Sequence, residues 1–137
     1  MTQSFHLKGT IMAKQSSDLL EGLIAKVKSH PNISKAGMIL CHNGIVRDFS
    51  RSDGKKVRSL SVKVDNSAIE NARSWALSQS GIVAVEITAL DGEFSVGDDL
   101  LYVLVAGDLR ENVFNIMREL IEKIKTGCVS KKEMLEA

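Results

Sequence analysis

Cysteine, proline, aromatic residues and net charge are all scarce in this chain of 137 residues, and each scarcity excludes something. Lys plus Arg is 18 against 17 for Asp plus Glu, so a formal net charge of +1 leaves no whole-molecule field to draw in nucleic acid or anionic lipid. Any anion recognition must therefore be local. The longest apolar stretch, residues 100–106, is far short of the roughly 20 residues a membrane helix needs, and the N-terminus has no charged-then-apolar signal pattern. A soluble, cytoplasmic protein without nucleic-acid or membrane partners is expected. Two cysteines, Cys41 in an apolar run and Cys128 in a polar tail, make neither a disulfide framework nor a CxxC pair, which suits a reducing compartment. His6, His30 and His42 have no second His or Cys three or four residues away, so neither a structural metal nor a cofactor is expected.

What is present is an ordinary globular composition, 44% hydrophobic and 26% charged, of the size of one domain. A single domain spanning 1–137 is expected, with residues 1–16 a loose arm or edge strand and residues 126–137 a C-terminal tail. Asp18 and Glu21 resemble a capping box ahead of Leu19, Leu20, Leu23, Ile24 and Val27, which recur at helical spacing until His30 and Pro31. Residues 36–47 read as a strand, and Leu60, Val62 and Val64 alternate as a second. The two are expected to form a hairpin with Ser52, Asp53 and Gly54 at its tip. Ser67 and Glu70 then cap a helix over 67–80, stopped by Gly81, and strands follow at residues 82–90 and 100–107. Asp108 and Glu111 cap a last helix whose stripe, Val113, Phe114, Met117, Leu120, Ile121 and Ile124, should face the core until Gly127. This order implies an α+β fold of two layers, a mainly antiparallel sheet covered by helices.

The P-loop, GxGxxG, GxSxG, HExxH and DxDxDG signatures are all missing. What remains is cationic: Arg47 ends the first strand, Arg110 opens the last helix, and Lys125, Lys131 and Lys132 lie at and beyond its end. Each has a plain reading beside a functional one. Arg47 next to Asp48 reads as a solvated strand end or an anion ligand. Arg110 opposes the helix dipole at a cost of roughly 0.3 to 1 kcal/mol, which Asp108 and Glu111 or a bound anion would offset. The lysines suit a helix C-terminus and a solvated tail in any protein. Cys128 among lysines reads as an idle thiol or a lowered-pKa nucleophile. Met38, Met117 and Trp75 read as packing, and His42 as a half-buried strand histidine rather than a base.

The pattern AG-x4-H-x-G-x-VR at residues 36–47, GEF-x2-GD at 92–98, and the helix from Arg110 through Lys125 to Lys-Lys-Glu at 131–133 resemble the large, catalytic subunit of molybdopterin synthase. The resemblance covers residues 36–133 and implies an α+β hammerhead fold. It also implies a homodimer that binds a small ubiquitin-like sulfur-carrier subunit at each far end, giving a heterotetramer. The carrier's Gly-Gly C-terminus bears a thiocarboxylate, and two sulfurs pass to a cyclic pyranopterin monophosphate, forming the dithiolene of molybdopterin. Arg47 and Arg110 match the family's strand and helix arginines, whose planar forks suit phosphate and carboxylate oxygens. Lys125 matches the catalytic lysine ending the last helix. The second catalytic lysine is Lys132 by spacing from Lys125, or Lys131 by alignment of the closing Lys-Lys-Glu. The chain departs from the family pattern in four places. Leu109 replaces the histidine of a His-Arg pair, Cys128-Val129-Ser130 replace a Pro-x-Trp element, Lys63 and Asp65 fall where an acidic and then an aromatic residue are usual, and His42 replaces an aromatic. Alternatives to the enzyme are a catalytically impaired homologue that binds a pterin or the carrier, and an unrelated small α+β ligand-binding domain.

Overall fold

The regular apolar spacing from Leu19 to Val27 gives α1 (Ala13–Lys28) one face that packs on Tyr102, Leu104 and Ala106. In this computed structural model residues 13–135 are described, so the expected arm lies outside the described residues up to residue 12, and residues 13–16 open α1 ahead of the expected cap at Asp18. A 3-10 turn (Ile33–Lys35) leads to β1 (Met38–Ile45), and then come β2 (Val57–Val64), α2 (Asn66–Leu77), β3 (Ile82–Ala89), β4 (Gly92–Ser95), β5 (Asp99–Gly107), α3 (Arg110–Gly127) and β6 (Val129–Leu135). The fold class is α+β, as expected. The strands form two antiparallel sheets of three, ordered β1-β5-β3 and β4-β2-β6.

The run of seven apolar residues in β5 is buried on both faces, which is why it shows no alternation. Leu101, Val103 and Val105 join the core shared with α2, α3 and the second sheet, while Tyr102, Leu104 and Ala106 join the smaller core under α1. This central strand draws β1 away from the expected hairpin, of which the tip survives, with Ser52, Asp53 and Gly54 in the turn that the Ser50 amide closes on the Lys55 carbonyl. β1 and β2 belong to different sheets, joined between them by one isolated bridge, Phe49 with Lys56. β1 instead pairs along its length with β5, placing Leu40, His42 and Gly44 opposite Val105, Val103 and Leu101. Covering a doubly apolar strand buries far more surface than closing a local turn.

The expected tail is also corrected, because residues 129–135 form β6 against β2. Few of its side chains are buried, so its sequence gives little strand signal. Asp65, not Ser67, is the N-cap of α2, its Oδ1 accepting from the Ala68 amide at 3.1 Å. Asp108 sits one residue before the α3 cap position, where it accepts from the Leu109 amide and from Asn112 Nδ2. Val113, Ile116, Met117, Leu120 and Ile124 make the buried stripe of α3, whereas Phe114, expected in it, is exposed. At 100° per residue it falls on the flank of that stripe.

Candidate functional site

Three chain segments meet where β1 ends. A register shift between Gly44 and Ile45 breaks the β1–β5 ladder, and the Val46 amide then donates to the Asp98 carbonyl at 3.0 Å while the Gly97 amide donates to Val46 at 2.9 Å. The 95–98 turn thus fixes the direction in which Arg47 leaves the sheet, and the Arg47 guanidinium lies 5.2 Å from the Phe49 ring centre. From a second direction α3 delivers Lys125 in its last turn, next to the fully buried Ile124. The third segment is β6. Its register sets Lys131 opposite Val62, which is 5% exposed, so both side chains lie on the inner face of the small sheet.

His42, Arg47, Lys125 and Lys131 line one cavity of about 230 Å³, with Leu90, Leu100 and Leu101 among its apolar walls. A neighbouring hollow of similar volume shares Arg47 and Lys131 and adds Phe49, Leu60 and Glu133 to its walls. Glu133 Oε1 accepts from Ser50 Oγ at 3.0 Å, which anchors the carboxylate away from the first cavity.

The electrostatics are those of gathered cations. Lys131, though exposed along its flank, is partly desolvated at the cavity, and that burial, Lys125 and Arg47 all lower its pKa, while Glu133 acts in the opposite sense. Burial lowers the pKa of His42 as well, with Lys125 adding to the shift. Such a site favours an anion that neutralises the cluster, and an arginine beside two lysines is well suited to phosphate or carboxylate oxygens.

The structure therefore brings together Arg47, Lys125 and Lys131 of the residues singled out in the sequence. Lys132 pairs with Ser61 and points to the opposite face of β6 from Lys131. Arg110 lies in the first turn of α3, fifteen residues before Lys125, about 22 Å away at 1.5 Å per residue. It does not line its own chain's cavity. Sequence reasoning left His42 out of the site, and the available signal was the glycine two residues later. A Cβ on Gly44 would sit 3.5 Å from His42 Nε2, so the glycine leaves the side of the imidazole open. Cys128 is buried in the main core, and burial followed by the Asp65 charge raises its pKa, which removes the reading as an activated thiolate. Among the described residues no group of three or more His, Cys, Asp or Glu side chains is placed to hold a metal ion, and no helix is long and apolar enough to cross a membrane.

The protein is an α+β domain with two small antiparallel sheets and a cationic cavity at their junction, a lining whose chemistry suits phosphate or carboxylate oxygens. The profile of the MoaE protein family matches residues 12–127, and the chain belongs to that family and thereby to molybdenum cofactor biosynthesis. Among solved structures the chain is similar to molybdopterin synthase from Staphylococcus aureus, at TM-score 0.67 and 17% identity over 99% of this chain and 94% of the other. It is equally similar to a complex of subunits 1 and 2 of molybdopterin-converting factor from Helicobacter pylori, at TM-score 0.67 and 17% identity over 95% and 83% of the two chains. The MoaE protein of Burkholderia ambifaria matches at TM-score 0.67 and 23% identity over 83% and 75%. Likenesses at these identities establish the shared fold. An uncharacterised protein of Methanocaldococcus jannaschii is 26% identical over 94 residues, 66% of this chain and 79% of that protein.

Proposed function

We propose that this protein is a molybdopterin synthase large subunit that transfers sulfur from a thiocarboxylated carrier to cyclic pyranopterin monophosphate in the cytoplasm. The observation that carries this reading is the convergence of Arg47, Lys125 and Lys131, distant along the chain, on one cavity. Arg47 binds the phosphate or the carrier's terminal carboxylate, with Phe49 steadying its guanidinium. Lys125 polarises the thiocarboxylate carbonyl, and Lys131 balances the charge that builds on it during transfer. The carrier is a small ubiquitin-like subunit with a Gly-Gly terminus. The H. pylori complex of two converting-factor subunits supports a partner of that kind.

The assembly is a homodimer with a carrier at each end. Arg110 is too far from Lys125 to serve its own chain's pocket, and a second copy supplies the route by which it meets substrate. The test is reconstitution: purified protein, semisynthetic thiocarboxylated carrier and precursor, with the dithiolene product measured. Product formation, abolished by Lys125→Ala in a folded dimer, is the expected result. Carrier binding without product from the unaltered protein would instead leave a binding module.

A further inference from the structure

The geometry points to His42 as the proton-transfer group of the cavity, taking a proton from the water whose oxygen replaces the transferred sulfur on the carrier's acyl carbon. This inference rests on the sulfur-transfer reading above and adds a residue to it. His42 projects from β1 opposite the fully buried Val103, on the face that looks toward α3, and lines the cavity with Arg47, Lys125 and Lys131. Gly44 leaves the Nε2 side of the ring open, and neither ring nitrogen has a hydrogen-bond partner among the described residues. A half-buried imidazole with both nitrogens uncommitted is available to a ligand or a water in the cavity.

Three charged groups of the described residues share the cavity with it. Lys125 faces it from α3, Lys131 stands across the cavity on β6, and Arg47 lies beyond the end of β1, while β5 and the end of β3 contribute Leu101 and Ala89. Among the described residues no carboxylate lines this cavity, and Glu133 lies in the neighbouring hollow, tied to Ser50. Partial burial and then Lys125 favour the uncharged ring, the form that accepts a proton, at neutral pH. The arginine accepts no proton in its guanidinium form, and Lys131, whose pKa is also lowered, starts from an ordinary value of 10.5 against 6.5 for the imidazole. Within the cavity, the imidazole is the group suited to that role near neutrality.

The balance of the step is simple. Once sulfur is bonded both to the acceptor and to the carrier's acyl carbon, a water oxygen bonds to that carbon and the carbon–sulfur bond breaks. The sulfur stays on the acceptor as a thiolate and the carrier leaves as a carboxylate. One water proton goes to the imidazole, and the imidazolium then passes it to the thiolate or to solvent. The second water proton is lost with ionisation of the carboxyl group. No electron is exchanged.

The test uses the full chain with thiocarboxylated carrier and precursor, comparing His42→Gln with the unaltered protein across pH. The expected result is a turnover about 10² to 10⁴ lower in the variant, the range for loss of a general base. The acid limb of the rate profile should disappear, while precursor affinity changes little. A variant with the original rate and the original acid limb overturns the assignment. A second measurement reads the site without turnover, following the His42 ring by NMR while inorganic phosphate is added. Phosphate in the cavity should raise the His42 pKa, because an anion stabilises the imidazolium, and saturation with no change in its titration overturns the placement beside the ligand. A phosphate-responsive His42 in an unaltered protein that makes no product sinks the proton step together with the sulfur-transfer reading, which separates that failure from a misassigned histidine.

Discussion

Lys131 and Val62 are direct partners across the β2–β6 ladder, and because Val62 is buried, the lysine is carried to the inner face beside the cavity. Its neighbour Lys132, paired with Ser61, is carried to the outer one. A strand reverses the direction of successive side chains, so one residue of register decides which lysine meets the substrate.

Lys131→Ala should lower single-turnover sulfur transfer by about 10² to 10³, the usual cost of removing one group aimed at developing charge. Lys132→Ala should stay within about twofold, as for a surface substitution away from the site. Rapid-quench measurement of product checks both. The reverse pattern would mean that β6 is shifted by one residue in the working complex.

Arg47→Ala should weaken precursor binding by about 1.5 to 3 kcal/mol, the range for hydrogen bonds to charged groups. Calorimetric titration at two ionic strengths should also show a smaller salt dependence in the variant, since one cation facing the anion is lost. Unaltered affinity would remove the arginine from the clamp.

A chain carrying Arg110→Ala and a chain carrying Lys125→Ala should each be nearly inactive alone. Mixed dimers should regain up to half of the unaltered turnover, because one of their two pockets then has Lys125 from one protomer and Arg110 from its partner. Recovery is read after co-refolding and separation by distinct tags. No recovery would place Arg110 outside the site.

The folded protein should lose stability in mild acid through His42. Burial and Lys125 lower its pKa in the folded state below the ordinary value of 6.5, so between the two values the unfolded chain binds more protons. Stability therefore rises with pH through that window, and the loss is complete only below the folded-state pKa. Thermal melts from pH 7.5 down to 5 should show the unaltered protein falling more steeply than His42→Gln, with parallel curves above 7.

The helix stripe from Val113 to Ile124 and the unbroken apolar run of β5 were readable because burial leaves a periodic or continuous pattern in the sequence. The pairing of β1 was not. A hairpin is a local inference, whereas the partner of β1 comes from more than fifty residues later and is fixed by the shape of the core. β6 escaped for another reason: it is an edge strand whose side chains are mostly exposed, and its Lys-Lys-Glu looks solvated until the register with β2 is known. At the site, Arg47 and Lys125 were found because charged residues at element ends stand out. For His42 the glycine two residues on marks open space, but nothing nearby in the sequence says which residues its strand face will meet. Arg110 joins them in the sequence as a cation at a helix start and by resemblance, but the length of α3 separates it from Lys125.

Because β6 follows α3 and completes the small sheet, one wall of the cavity is the last structured stretch of the described chain to emerge during synthesis. A chain cut after residue 128 would keep β1, β5 and α3 yet leave the β6 side of β2 unpaired and the cations incompletely gathered. Competence to hold a small anion thus depends on a strand that contributes little to the apolar interior.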